Sequence, residues 1–235
     1  MSIYISASSI TDYLKCEKIV DFRINASEKG VQNESMIIGS MVHNILEKYW
    51  NDRVVGIAEI SLQLKQLNFG KQLINKALTS VENFYTNYSS LLSENDLIEH
   101  RFKIKLYDDV FMVGKMDRIS DDMVYDWKTA FKPPTDLTSD PQFIIYYTAF
   151  IKLFGKQPTS VFGVYLMHNK IIPYVPDQYY IDLLYNEIMP RMVMDIRNKA
   201  LPKSGRFKNI CKDCIFNIAC FSEDKNVLAD KNTFI

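Results

Sequence analysis

Glycine and proline are scarce in this chain, with eight of each in 235 residues. That is too few for an all-β protein dense in tight turns, and the composition excludes collagen-like repeats. A charge surplus is also missing: 28 Lys and Arg balance 28 Asp and Glu. No global field therefore draws the protein to nucleic acid or membrane, and any basic patch is local. Long apolar runs are absent too. The longest, Phe143 to Ile151, falls far short of the roughly 20 residues that span a bilayer. The N-terminal residues Met1-Ser2-Ile3-Tyr4-Ile5-Ser6 lack the charged-then-apolar plan of a signal peptide. The expectation is a soluble, cytoplasmic protein of a cell or of a virus acting in its host. Hydrophobic residues at 47% and charged residues at 24% suit an ordinary globular core.

Cysteine is rare but not scattered. Of Cys16, Cys211, Cys214 and Cys220, the last three fall within ten residues as C-x2-C-x5-C. In a reducing compartment such spacing points to a metal centre rather than to disulfides. Zinc and an iron–sulfur cluster are both open on spacing alone.

Hydrophobic periodicity predicts helices over Ser8–Lys15, Met36–Trp50 and Lys71–Leu92. From Leu97 the pattern changes to period two, predicting a meander with turns at Asp108-Asp109 and at Asp121-Asp122. A helix over Pro141–Phe154 and a hairpin around Asn169-Lys170 follow. The next helix, Asp177–Met189, should kink or stop near Pro190. One α/β domain spanning residues 1–235 is expected, with a central mixed sheet flanked by helices.

The meander carries the chemistry. If Asp121-Asp122 form a two-residue turn, cross-strand partners sum to 243, which sets Asp117 opposite Asp126 on one face. Lys128, two residues beyond Asp126, shares that face. Facing carboxylates repel unless a cation lies between them, and Mg²⁺ or Mn²⁺ favours such oxygen ligands. A neighbouring lysine can then orient water or neutralise charge in a phosphoryl transition state. The plainer alternative is a pair of solvated aspartates beside a turn.

These residues belong to a longer series. Gly39-Ser40-Met41-Val42-His43, Gly114-Lys115-Met116-Asp117, Asp126-Trp127-Lys128-Thr129, Gln142-Phe143-Ile144-Ile145-Tyr146 and the four cysteines occur in that order. Together they resemble the PD-(D/E)XK nuclease superfamily, in its RecB-like iron–sulfur branch of CRISPR-associated exonucleases and AddB nuclease domains. The resemblance implies a restriction-endonuclease-like core closed by a C-terminal iron–sulfur segment. It implies that His43, Asp117, Asp126 and the Trp127 backbone carbonyl hold Mg²⁺ or Mn²⁺, and that Lys128 orients the attacking water. Gln142 and Tyr146 would steady Lys128 or contact DNA. A capping pattern at Ser139–Gln142 and core burial of Tyr146 are the plainer alternatives. Glu99 is a further acidic candidate. Cys16, Cys211, Cys214 and Cys220 would hold a [4Fe–4S] cluster, although Glu17 stands where the family often has proline.

The implied activity is metal-dependent DNA hydrolysis at single-stranded ends, exonucleolytic, with 5′→3′ favoured. The rivals are an end-trimming subunit of a CRISPR-adaptation or recombination complex, and a non-catalytic iron–sulfur or zinc DNA-binding module. DNA is the expected partner, with a second copy or assembly subunits as further candidates. Between Arg191 and Lys212 seven basic residues face a single acid, Asp195, which makes a local stretch suited to a phosphate backbone or to plain solvation.

Overall fold

The computed structural model describes residues 2–25, 34–52, 62, 64, 66 and 69–223. They form two compact units, one of residues 1–7 and 34–184 and the other of residues 8–33 and 185–235. None of its helices is long and apolar enough to cross a membrane among the described residues.

The larger unit is built on a mixed six-stranded sheet. Its strands are β1 (Ile3–Ile5), β2 (Leu97–Tyr107), β3 (Val110–Ser120), β4 (Met123–Lys128), β5 (Ser160–Tyr165) and β6 (Lys170–Pro173). Its helices include α3 (Glu34–Asp52), α4 (Lys71–Asn87), α5 (Pro141–Phe154) and α6 (Gln178–Asp182). The expected α/β class and mixed sheet are therefore present. On one face Trp127 and Val164 pack into the apolar layer of α3 and α4, with Phe84 and Tyr88 edge-on or tilted to the indole. On the other face Gly163 lies under Phe143 of α5 and under Leu137; a Cβ at Gly163 would come within 3.0 Å of both.

Strand β3 is the organiser. Antiparallel β2 covers one of its edges along most of its length. β1 and β4 share the other edge, β1 in parallel at residues 110–112 and β4 antiparallel at residues 118–120. Between them residues 113–117 have no ladder partner on that edge. Gly114 has a steric reason: it faces Phe102 of β2, and a Cβ would lie 2.4 Å from that ring. A buried ion pair fixes the far end of β3. Arg118 donates through Nε to Asp96 Oδ2 at 2.7 Å and through Nη2 to the Leu91 carbonyl at 2.6 Å, with its guanidinium over Tyr125. Arg118→Leu strands Asp96 without its cation and should cost about 3–5 kcal/mol in denaturant unfolding. Removing both charges as Arg118→Leu/Asp96→Leu should recover much of that loss.

The smaller unit contains α1 (Ala7–Lys15, from Ser8 onward), α2 (Glu17–Asn25) and α7 (Met189–Arg197). Tyr13 donates to Asp195 at 2.5 Å, and Phe22 stacks on Phe216 with centroids 5.2 Å apart. Pro190 does not end the helical run. Residues Leu183–Ile188 open into a π turn directly before it, and Pro190 enters the first turn of α7. The wider turn relieves the clash a proline ring makes with the carbonyl four residues back. Three of the seven cations read as a basic stretch have internal work. Lys203 bonds the Cys220 carbonyl, Lys208 bonds the Leu14 carbonyl, and Arg206 lies over Phe221.

Candidate active site

Asp121 and Asp122 both hold positive φ, 45° and 66°, the backbone of a two-residue type I′ hairpin. The pairs Ser120–Met123, Ile119–Val124 and Arg118–Tyr125 follow in the register read from the sequence. The next pair would be Asp117 with Asp126, and here the ladder stops. The Trp127 N–H donates instead to Asp117 Oδ2 at 2.7 Å. The strands fork at this point, with Asp117 4% and Asp126 2% exposed.

Glu99 reaches the fork from β2. The pairs Ile98–Arg118 and His100–Met116 set Glu99 across from Asp117. Its φ of 52° is left-handed, a strain of about 1–2 kcal/mol for a residue with a side chain. Such strain within a strand is a pointer to function. Glu99, Asp117 and His43 each offer a ligand atom within 4.8 Å of the other two, the one such trio of His, Cys, Asp or Glu among the described residues. His43 Nδ1 lies 3.6 Å from Asp117 Oδ1, and Lys115 pairs with Glu99. α3 carries His43 one turn after Gly39, where a Cβ would sit 3.5 Å from Thr129 Oγ1. That is ordinary contact, so glycine is not sterically required at position 39.

A second constellation surrounds Asp126. Asp140 caps α5 by accepting from the Gln142 backbone N–H at 2.9 Å. The cap leaves the Gln142 side chain free for the sheet. Its Nε2 donates to Asp126 Oδ1 and to Tyr146 Oη, both at 2.8 Å, while its Oε1 accepts from Lys128 Nζ at 2.5 Å. Tyr146 donates to the Lys115 carbonyl at 2.7 Å, filling the unpaired edge of β3. Capping and core burial thus coexist with contacts to the candidate residues. Lys128 Nζ also stands 2.7 Å from Asp126 Oδ2, off the line of a hydrogen bond.

The residues fit a divalent cation. Glu99 Oε2 and Asp126 Oδ2 are buried carboxylate oxygens with cationic neighbours but no hydrogen bond of their own. Oxygen donors of this kind, with an imidazole beside them, suit Mg²⁺ or Mn²⁺. Asp126 is not part of the 4.8 Å trio, and the Trp127 contact seen here is through its N–H.

Burial pushes the Asp126 carboxyl up to about 6; Lys128 opposes the rise and Asp117 adds to it. Burial disfavours charge on His43 as well, yet the adjacent Asp117 carboxylate and the Asp126 charge outweigh that and raise it. Lys128 is likewise opposed by burial but held cationic by Asp126. Burial, then Asp126 and Asp117, keep Tyr146 protonated. Folded-state values raised for both Asp126 and His43 mean that metal-free protein binds more protons folded than unfolded. Stability should therefore fall as pH rises from about 4, the ordinary aspartate range, through 6 and beyond. In EDTA at pH 7.5, Asp126→Asn should melt above wild type, and the advantage should vanish near pH 4. Parallel melting curves at both pH values would contradict this electrostatic account.

The cysteines meet in the smaller unit. Cys16, between α1 and α2, lines one cavity together with Cys211, Cys214 and Cys220. Gly205 backs it, where a Cβ would lie 2.9 Å from Cys16 Cβ and 3.1 Å from its Sγ. Ile19, Phe216 and Phe22 supply an apolar wall. Sequence reasoning gave no weight to Lys115, although it stands inside Gly114-Lys115-Met116-Asp117 and contacts both Glu99 and Tyr146. The other two histidines of the chain have other contacts: His100 lies against Phe154, and His168 Nε2 is 2.8 Å from the Phe131 carbonyl.

Comparison with curated proteins gives no match. Among solved structures, that of "Putative exonuclease" from Eubacterium rectale superposes with a TM-score of 0.58 at 14% identity, covering 85% of this chain and 83% of that one. Likeness at that identity concerns the fold. A second crystal structure, of SSO0001, reaches a TM-score of 0.35 at 18% identity over 89% of this chain and 95% of that one. The family model described as PD-(D/E)XK nuclease superfamily matches residues 4–221. From the first strand to the end of the cysteine segment, the chain belongs to the PD-(D/E)XK nuclease superfamily.

Proposed function

We propose that this member is a divalent-metal-dependent deoxyribonuclease working at the β3–β4 fork, and that it removes nucleotides from single-stranded ends. The observation that carries the reading is the convergence of His43, Glu99, Asp117, Asp126 and Lys128 on one buried fork. His43, Asp117, Asp126 and the Trp127 carbonyl are the proposed ligands, with Glu99 as an added carboxylate. A bound Mg²⁺ or Mn²⁺ supplies Lewis acidity toward the phosphodiester and toward water. Lys128, cationic and fixed by Gln142 and Asp126, orients the water and offsets charge as the phosphorus–oxygen bond breaks. Tyr146 stays neutral and holds Gln142 in place. Exonucleolytic action agrees with the name of the Eubacterium rectale neighbour.

In the smaller unit the proposed group is a structural [4Fe–4S] cluster. No three of the cysteine sulfurs are as close as the 4.8 Å of the carboxylate–imidazole trio. A tetrahedral zinc needs its sulfurs about 3.8 Å apart, given Zn–S of about 2.3 Å. Four thiols around one cavity with apolar walls suit the larger cluster. The functional test is digestion of single- and double-stranded DNA, labelled at either end, with Mg²⁺, Mn²⁺ or EDTA. Mononucleotide release from single strands with either metal supports the reading. Internal cutting alone would remove the exonuclease assignment, and no cutting with any metal would remove the catalytic one.

A further inference from the structure

Lys76 lies in α4 at 4% exposure, yet no carboxylate and no hydrogen-bond acceptor meets its ammonium among the described residues. Its contact is a ring: Nζ sits 4.5 Å from the centroid of Phe131. With no anion beside it, burial of the side chain lowers the proton affinity of Lys76, while its nitrogen is not among the buried, unpartnered polar atoms. Phe131 itself is 45% exposed. The loop is anchored by His168 at the Phe131 carbonyl, 2.8 Å away, so the ring is held in place from two sides. Lys132 and Lys170, on either side of that anchor, are exposed.

Position gives this pair a meaning. Phe131 follows Lys128 by three residues, so its Cα lies at most about 11 Å from that of the lysine. One ring face meets a cation while the side chain remains open to solvent, within one or two nucleotides' reach of the fork. We propose that Phe131, backed by Lys76, is the stacking platform for an unpaired base next to the scissile phosphate. The platform selects single-stranded substrate, because only an unpaired base can leave its neighbours and lie on the ring. The anionic backbone that accompanies the base supplies the counter-charge Lys76 lacks. The inference rests on the nuclease reading above and adds to it the feature that recognises the strand.

The test uses the full chain and oligothymidylate carrying one 2-aminopurine at successive positions, in EDTA so that binding is read without cleavage. Wild type should quench the fluorophore at one position near the bound end. Phe131→Ala should lose that quench and bind about tenfold more weakly, while Phe131→Trp retains both. Lys76→Met should lower the salt slope of log K by about 0.7, the value for one single-strand phosphate contact. Unchanged quench and affinity in Phe131→Ala, or equal losses on blunt duplex, would overturn the platform. An unchanged salt slope in Lys76→Met would overturn its electrostatic part. Wild type that cleaves while Phe131→Ala behaves identically removes the platform alone. Wild type that binds and quenches but never cleaves with metal removes the nuclease reading alone.

Discussion

Lys128→Ala is expected to slow single-turnover cleavage by about 10³-fold, the scale of losing one preorganised charge at a reacting group. Its ammonium serves two neighbours, Gln142 Oε1 at 2.5 Å and Asp126 Oδ2 at 2.7 Å. Removing it takes away the charge that opposes the rise of the Asp126 carboxyl, so that group should protonate more readily still. Whatever activity remains should therefore climb more steeply with pH than that of wild type. Gln142→Ala should be milder, because Lys128 keeps its ion pair with Asp126. An alanine at position 128 that cleaves at the wild-type rate would move the chemistry away from the fork.

The second large effect concerns the cysteines. Cys16→Ala and Cys214→Ala should lose iron together and destabilise the protein by more than about 4 kcal/mol, the range reached when a structural centre is lost. The two residues sit far apart in sequence but line one cavity, so neither loss can be made good by the other three ligands. Gly205→Ala should act in the same direction more weakly, since its Cβ would press on Cys16 at 2.9 Å. Anaerobically purified wild type should be brown with close to four irons per chain. A colourless protein with one zinc, or a Cys16→Ala variant with normal metal content, would reject the cluster.

Much of the fork was legible because a two-residue turn leaves a hairpin little freedom in register. Asp121-Asp122 fixed the pairing of residues 118–120 with 123–125, but the ladder ends one pair short of Asp117 and Asp126, where the Trp127 N–H takes Asp117 Oδ2. Gln142 was ambiguous for a physical reason. Its backbone N–H answers to the Asp140 cap and its side chain to the sheet, and sequence cannot separate the two. Glu99 was weakly marked because its role depends on a left-handed φ inside a strand, which no periodicity announces. Lys76 carried no signal in the sequence, and only packing shows that its ammonium lies 4.5 Å from the Phe131 ring. β1 has three residues, Ile3–Ile5, too few for a period-two pattern to stand out. The π turn before Pro190 answers with backbone geometry what the sequence presented as a kink or a stop.

The central claim is that a divalent cation binds between the acidic groups of the fork. The measurement that tests it most directly is thermal stability at pH 7.5 with Mn²⁺ titrated into wild type and into Asp117→Asn. Wild type should gain in proportion to RT ln(1 + [L]/Kd), about 2.7 kcal/mol at one hundred times Kd. Asp117→Asn keeps the shape of the fork but loses one ligand charge, and should gain little over the same range. Equal gains in the two proteins would place the metal elsewhere and contradict the account.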